Sequence, residues 1–278
     1  MQLIIVISQL LYIISSERVR VPKIDFGGGY VKVRTLGGGA SAVAYEVTRG
    51  GNRYALKKAK SRGNVLEAEY RVMKEFYGQA GIPKAFDFFK CKDGTDCLVL
   101  ELVGPSLSDL HKNIKIMSSL PVETIGSIAI QLIERMETIH RNGFIHGDLF
   151  ANNISPGRGN NRGTLFAIDF GQAAGLRESK GRTRGFDAQS IAYTVYSLFR
   201  NSIKSADRLF PFPTQNSTNG LPQEILELIK HVEIAKNRGD KFLDYTYMRN
   251  LMEKMVGGTG TKYAGKIIWP AEVLRKLP

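Results

Sequence analysis

The chain has 278 residues, 43% of them apolar, enough for one sizeable core or two smaller ones, which excludes a disordered, repetitive or low-complexity protein. Its 39 Lys and Arg against 26 Asp and Glu leave a net charge of +13, which favours acidic partners: phosphate ligands, nucleic acid or acidic peptides. Two cysteines, Cys91 and Cys97, are too few for a zinc set or a disulfide framework, so free thiols in a reducing compartment are expected.

Taken from the N-terminus, LIIVISQLLYII (3–14) is apolar but too short to span a bilayer, with no basic residue before it and no small-residue cleavage site. It reads as a buried strand or helix, or as a start-codon artefact, with a weak membrane or partner contact as the alternative. After this extension (1–29), YVKVRTLGGGASAVAYEV (30–47) predicts two strands around a glycine turn. NRYALKKAK (52–60) predicts a third strand after Gly50 and Gly51. In VLEAEYRVMKEFY (65–77) the apolar residues Val65, Leu66, Tyr70, Met73, Phe76 and Tyr77 predict a helix with one buried face. AFDFFKCK and DCLVLELV predict two further strands flanking a hairpin tip, KDGTD. Beyond Gly104 and Pro105 helices take over. The clearest has Val122, Ile125, Ile128, Ala129, Leu132, Ile133, Met136 and Ile139 on one stripe, closed by Asn142 and Gly143. A strand-rich unit (30–103) therefore meets a helix-rich unit (104–278).

Chemistry maps onto these elements in order. Gly37, Gly38 and Gly39 lie in the first turn, where absent side chains let backbone N–H groups approach a phosphate; a merely flexible hairpin is the other reading. Lys57, in YALK, is spaced to reach the same phosphates, and Glu67 in the following helix is placed to hold its ammonium. In FIHGDLFANN (144–153), Asp148 is a carboxylate able to orient a hydroxyl nucleophile, and Asn153 offers a neutral oxygen to a metal ion. Asp169 in IDFG supplies a second metal-binding oxygen, the ligand type magnesium prefers. The alternative makes Asp148, Asn153 and DFG simple turn formers.

GxGxxGxV, YALK, HxD with an asparagine five residues later, and DFG, in this order over 37–171, resemble the protein kinase signatures. GIPKAFDF, LVLELVGPSLSDL, METIHRNGFIHGDL and LDYTYMRNLMEKM are similar to the casein kinase I and vaccinia-related kinase branch. The resemblance implies an α+β, two-lobed fold, with a small antiparallel sheet lobe plus one helix over 30–103 and a larger, mainly helical lobe over 104–278. It implies ATP in the cleft, lined by Gly37, Gly38, Gly39, Val43, Ala55 and Lys57, with adenine against Glu101 to Val103. Magnesium, or manganese in its place, would sit on Asn153 and Asp169, and Asp187 would support the catalytic loop from the start of the central helix.

Four departures accompany the resemblance. Ala42 replaces the third glycine, Gly147 an arginine that in many kinases reads a phosphate on the activation loop, and Phe150 a lysine near the γ-phosphate. Only QAAGLRESKGRTRGF (172–186) separates DFG from Asp187, too short for a peptide-docking ledge and similar in length to atypical kinases. Its Arg177, Lys180, Arg182 and Arg184 either supply the cation missing at Phe150, bind acidic or pre-phosphorylated substrate, or are only a solvated basic loop. Three functions are consistent with this pattern. They are an intracellular serine/threonine kinase, cytoplasmic or nuclear; a pseudokinase scaffold; and an atypical ATPase-type kinase in a nucleic-acid complex.

Overall fold

The computed structural model describes residues 24–113, 120–177, 182–200, 219–257, 267–275 and 277–278; the apolar stretch 3–14 and Lys180 lie outside them. Strands β1 (Val31–Gly38), β2 (Ala42–Arg49) and β3 (Asn52–Arg62) form a meander whose second turn uses Gly50 and Gly51, at φ 57° and 83°. Two successive left-handed residues match the right-handed twist of the flanking strands, and only residues without a Cβ adopt them at no steric cost. After helix α1 (Glu67–Glu75), strands β4 (Ala85–Lys90) and β5 (Thr95–Leu100) complete an antiparallel sheet in the order β1-β2-β3-β5-β4. Strand β3 is therefore internal, paired on both sides, and Lys57 lies opposite Ala44 on β2 and Leu98 on β5.

Helix α1 starts later than its apolar pattern suggests. Leu66, Met73 and Phe76 are buried as expected, whereas Val65 and Tyr77 are 37% and 67% exposed. The start is set by a hydrogen bond rather than by hydrophobicity: the Leu66 N–H donates to the buried Asp96 carboxylate at 2.9 Å, and Asp96 also pairs with Lys90. The cysteines differ from expectation as well. Cys91 and Cys97 form a disulfide rather than free thiols, because the β4–β5 hairpin carries them to opposite sides of its tip at a Cα separation of 5.6 Å. Both are buried beside Val47, Leu56 and Val99 in a small core on one side of the sheet.

The larger lobe comprises α2 (Leu107–Asn113), α3 (Val122–Arg141), α4 (Arg184–Phe199), α5 (Gln223–Arg238), α6 (Tyr245–Met255) and the short α7 (Ala271–Leu274). The expected α3 stripe is buried except at Val122, and Thr124, Ser127 and Gln131 are buried too, so the helix is enclosed on most sides. Gln131 is satisfied there by donating to Gly163 O and accepting from Leu165 N–H, which ties α3 to the chain segment 163–165. Between α3 and α4 the chain forms two short antiparallel pairs. These are β6 (Phe144–Ile145) with β9 (Ala174–Gly175), and β7 (Ile154–Pro156) with β8 (Leu165–Ala167). The polar stretch 146–153 is the loop between β6 and β7, and the two pairs fix both its ends. No helix among the described residues is long and apolar enough to cross a membrane. The architecture is the expected α+β, with a sheet lobe followed by a helical lobe.

Candidate active site

Lys57 reaches out of the sheet on the face shared with Ala44 and Ala55, since directly opposed residues and residues two apart point the same way. Its Nζ donates to Glu69 Oε2 at 2.7 Å and to Asp169 Oδ1 at 2.7 Å, joining groups separated by 112 residues. Glu67, the expected partner, points away and pairs with Arg71 one turn along the same helix at 2.5 Å. The reason is helical phase. Glu69 lies on the face of α1 that carries Leu66 and Met73 inward, and it is 4% exposed. Val43 is corrected on similar grounds, because it opposes Lys58 and so occupies the other face of the sheet. The residue beside Lys57 in the cleft is Ala44.

Burial opposes the charge on Lys57, but Glu69 and Asp169 outweigh it and hold the ammonium above its ordinary value. Burial likewise pushes up the Asp169 carboxyl, and Lys57 with the Gly171 N–H overcomes this, leaving it below the usual carboxylate range. For Glu69 burial is the larger influence and raises the carboxyl against the pull of Lys57. The two partners thus shift in opposing senses. The 2.7 Å contact to an ammonium held charged by two carboxylates decides for an ionised pair.

Asp169 has φ 62°, the one left-handed non-glycine among the described residues, and its carboxylate accepts the Gly171 N–H at 3.2 Å. Such a backbone costs on the order of 1–3 kcal/mol and persists where surrounding contacts impose it. A Cβ on Gly171 would lie 3.1 Å from Asp169 Oδ1, which explains the glycine there. Beside it, where the Ile168 N–H donates to Asn153 O at 2.9 Å, Asn153 Nδ2 donates to Asp148 O at 2.8 Å and to Asp148 Oδ2 at 2.9 Å, committing its side-chain nitrogen and leaving its side-chain oxygen the acceptor. Cβ atoms on Gly37 and Gly39 would meet nothing within 4 Å, so there is open space over the β1–β2 turn, while the Ala42 methyl is buried opposite Ala59. Glu101 opens the connection between the lobes, its N–H donating to Lys84 O at 2.8 Å and its carboxylate accepting the Lys84 N–H at 3.2 Å; Val103 follows in the same connection.

Asp187, fully buried in the first turn of α4, accepts the N–H groups of His146 at 2.7 Å and Gly147 at 2.8 Å. Its carboxylate also meets His140 Nε2 at 3.0 Å, and His140 Nδ1 lies 2.7 Å from Tyr245 Oη. Burial pushes the Tyr245 hydroxyl up to about 12, so it stays protonated and donates to the ring. His140 and Tyr245 lie in segments that carry the family resemblance but have no role assignable from sequence, because only the fold brings α3, α4 and α6 together around Asp187.

His146 is fully buried against Phe170, its Nε2–H donating to Ile168 O at 3.1 Å and its Nδ1 accepting the Asp148 N–H at 3.3 Å. Burial depresses its pKa despite Asp187, Asp148 and Asp169 nearby. Because the folded pKa lies below the unfolded value, the unfolded chain binds the extra proton first. Stability contributed by this group is therefore present above pH 6.5 and lost as pH falls below it, by up to about 1.4 kcal/mol per pH unit. A histidine-specific NMR titration is expected to place the His146 midpoint below its ordinary value; a midpoint at or above that value would refute the assignment.

Asp169 and Asn153 offer only oxygens, and among the described residues no three His, Cys, Asp or Glu side chains form a protein-only cage. Such a sparse oxygen set fits a hard divalent ion that keeps water and substrate phosphates in its shell. Residues 30–196 match the family described as protein kinase domain. The chain is also 30% identical to casein kinase I homolog 2 of Schizosaccharomyces pombe over 182 residues, 65% of this chain and 39% of that protein. It thus corresponds to well under half the length of that relative.

Proposed function

The chain belongs to the protein kinase family, on its casein kinase I-like side, and from that premise we propose that it transfers the γ-phosphoryl group of ATP to serine or threonine hydroxyls of acidic or pre-phosphorylated proteins. The observation that carries this reading is the meeting of Lys57, Glu69 and Asp169 at 2.7 Å on one face of the sheet lobe. A loose phosphoryl-transfer transition state needs fixed cations and an aligned hydroxyl more than a strong base. Lys57, steadied by Glu69, binds the α and β phosphates, and the glycines at 37–39 admit them under the β1–β2 turn. Asp148, its carboxylate fixed by Asn153, orients the acceptor hydroxyl. Asp169 and Asn153 would hold magnesium, or manganese, which would supply positive charge against the phosphate oxygens.

One feature favours a scaffold role instead. The Phe150 ring packs on Phe186 and Tyr193, with centroids 6.5 and 6.2 Å away, so the position two residues after Asp148 gives apolar packing where the family pattern has a lysine. Incubating the chain with γ-labelled ATP and magnesium, with acidic or basic acceptor proteins and a chelator control, separates the readings. Label on serine or threonine, stronger on the acidic acceptor and abolished by chelation, is the expected result. Nucleotide binding with no label anywhere selects the scaffold. RNA-stimulated ATP hydrolysis without protein labelling selects an ATPase-type kinase.

A further inference from the structure

Gly147 is in the left-handed region, at φ 76°, and its N–H donates to Asp187 Oδ1 at 2.8 Å. A Cβ there would lie 2.7 Å from Arg182 Nη1 and 2.7 Å from Gln172 O. The space where a side chain of the catalytic loop would begin is thus filled by a guanidinium arriving from the segment after DFG. Arg182 Nη1 donates to Gln172 O at 2.9 Å and Nη2 to Gln172 Oε1 at 3.0 Å, so two donors grip one residue in fixed orientation. Gln172 closes the short turn Phe170–Gln172 that Asp169 caps, and Asp169 holds Lys57. Gly147 immediately precedes Asp148 in the chain.

We infer that Arg182 is a positioning residue that wedges the loop carrying Asp148 against the turn carrying Asp169, and that it keeps the two in register without a phosphate on the segment. It lies just before α4, whose Asp187 holds His146 and Gly147 from the opposite side, so one helix start secures the catalytic loop from two directions. A guanidinium suits this task because it is charged at every working pH and presents two parallel donors; a lysine ammonium reaches only one acceptor with the same orientation. Among the basic residues of the segment, Arg184 opens α4, and its backbone N–H donates to Asp240 at 3.2 Å. The consequence for turnover rests on the kinase reading, whereas the consequence for loop order does not.

The full chain is tested as wild type, Arg182→Ala and Arg182→Lys, by steady-state transfer and by hydrogen exchange of the amides at 170–175. Arg182→Ala is expected to lower kcat about tenfold or more while the KM for ATP stays within about threefold, and to speed exchange at 170–175 about tenfold. Arg182→Lys falls between, millimolar guanidinium ion restores part of the lost kcat in Arg182→Ala, and phosphatase treatment leaves wild type unchanged. Should wild type transfer no phosphate, the functional reading fails and exchange alone decides. Exchange at 170–175 in Arg182→Ala within twofold of wild type overturns the inference, as does loss of wild-type activity on phosphatase treatment. If Arg182→Ala does not fold, the same exchange criterion is applied to Arg182→Lys.

Discussion

Replacing Lys57 by methionine, or Asp169 by alanine, is expected to reduce phosphoryl transfer about a thousandfold. Glu69→Gln is expected to reduce it about a hundredfold, and Glu67→Gln to leave it within about twofold. Each of the first three removes a fixed charge from one contiguous set: the ammonium 2.7 Å from both carboxylates, or a carboxylate itself. Methionine keeps the length of the lysine stem while deleting the cation, so the loss reads as charge rather than packing. Glu69→Gln keeps shape and one acceptor but leaves Lys57 with a single anionic partner in a largely buried place, where its side chain is only 16% exposed. Glu67 pairs with Arg71, 75% exposed, in a screened surface contact worth a few tenths of a kcal/mol. Steady-state kinetics with ATP and an acidic acceptor, together with nucleotide affinity, check the series. Equal losses for the two glutamates would sink the assignment of Glu69.

Much of this was legible before any coordinates. The two-lobed order of elements followed from alternation in one half and the 3.6-residue period in the other, signals that burial enforces. Lys57, Asp148, Asn153 and Asp169 are named by short motifs with fixed neighbours, and Asp187 only by the family resemblance. The misreadings are one- or two-residue errors of phase. Val43 and Ala44 are adjacent, and in a strand one step reverses the face. Glu67 and Glu69 differ by about 200° around a helix axis, so choosing between them required the buried stripe of Leu66, Met73 and Phe76, and that stripe runs through Glu69. The cysteine pair is illegible for another reason: count and compartment do not reveal it, and only the hairpin register brings Cys91 and Cys97 to a Cα separation of 5.6 Å.

The missing cations at Gly147 and Phe150 are met in two different ways. At Gly147 the vacated space is taken by Arg182, whose guanidinium arrives from the segment between Gln172 and Asp187. At Phe150 an aromatic ring packs on Phe186 and Tyr193 and joins the catalytic loop to α4. A short segment and a glycine in the catalytic loop are thus one arrangement seen from two sides. A bulkier residue at 147 would clash with the arginine.

Asp187→Ala is expected to destabilise the folded chain by roughly 3–5 kcal/mol and to lower Tm on the order of 10 °C. The carboxylate is inaccessible to water and satisfies three donors at once: the backbone N–H groups of His146 and Gly147 and the Nε2–H of His140. Alanine leaves all three buried without an acceptor, and the cost of such orphaned donors exceeds the net value of the bonds lost. Tyr245 already donates to His140. Asp187→Asn separates the contributions. Its amide oxygen can accept from one or two of the donors, but its NH2 then faces a third, so about half the loss is expected to remain. Because His146 and Gly147 precede Asp148 directly, kcat should fall in both variants even at temperatures where each is fully folded. Calorimetry and single-temperature kinetics on the two variants test this. A loss below 1 kcal/mol in Asp187→Ala would mean that the catalytic loop holds its shape without the helix beneath it.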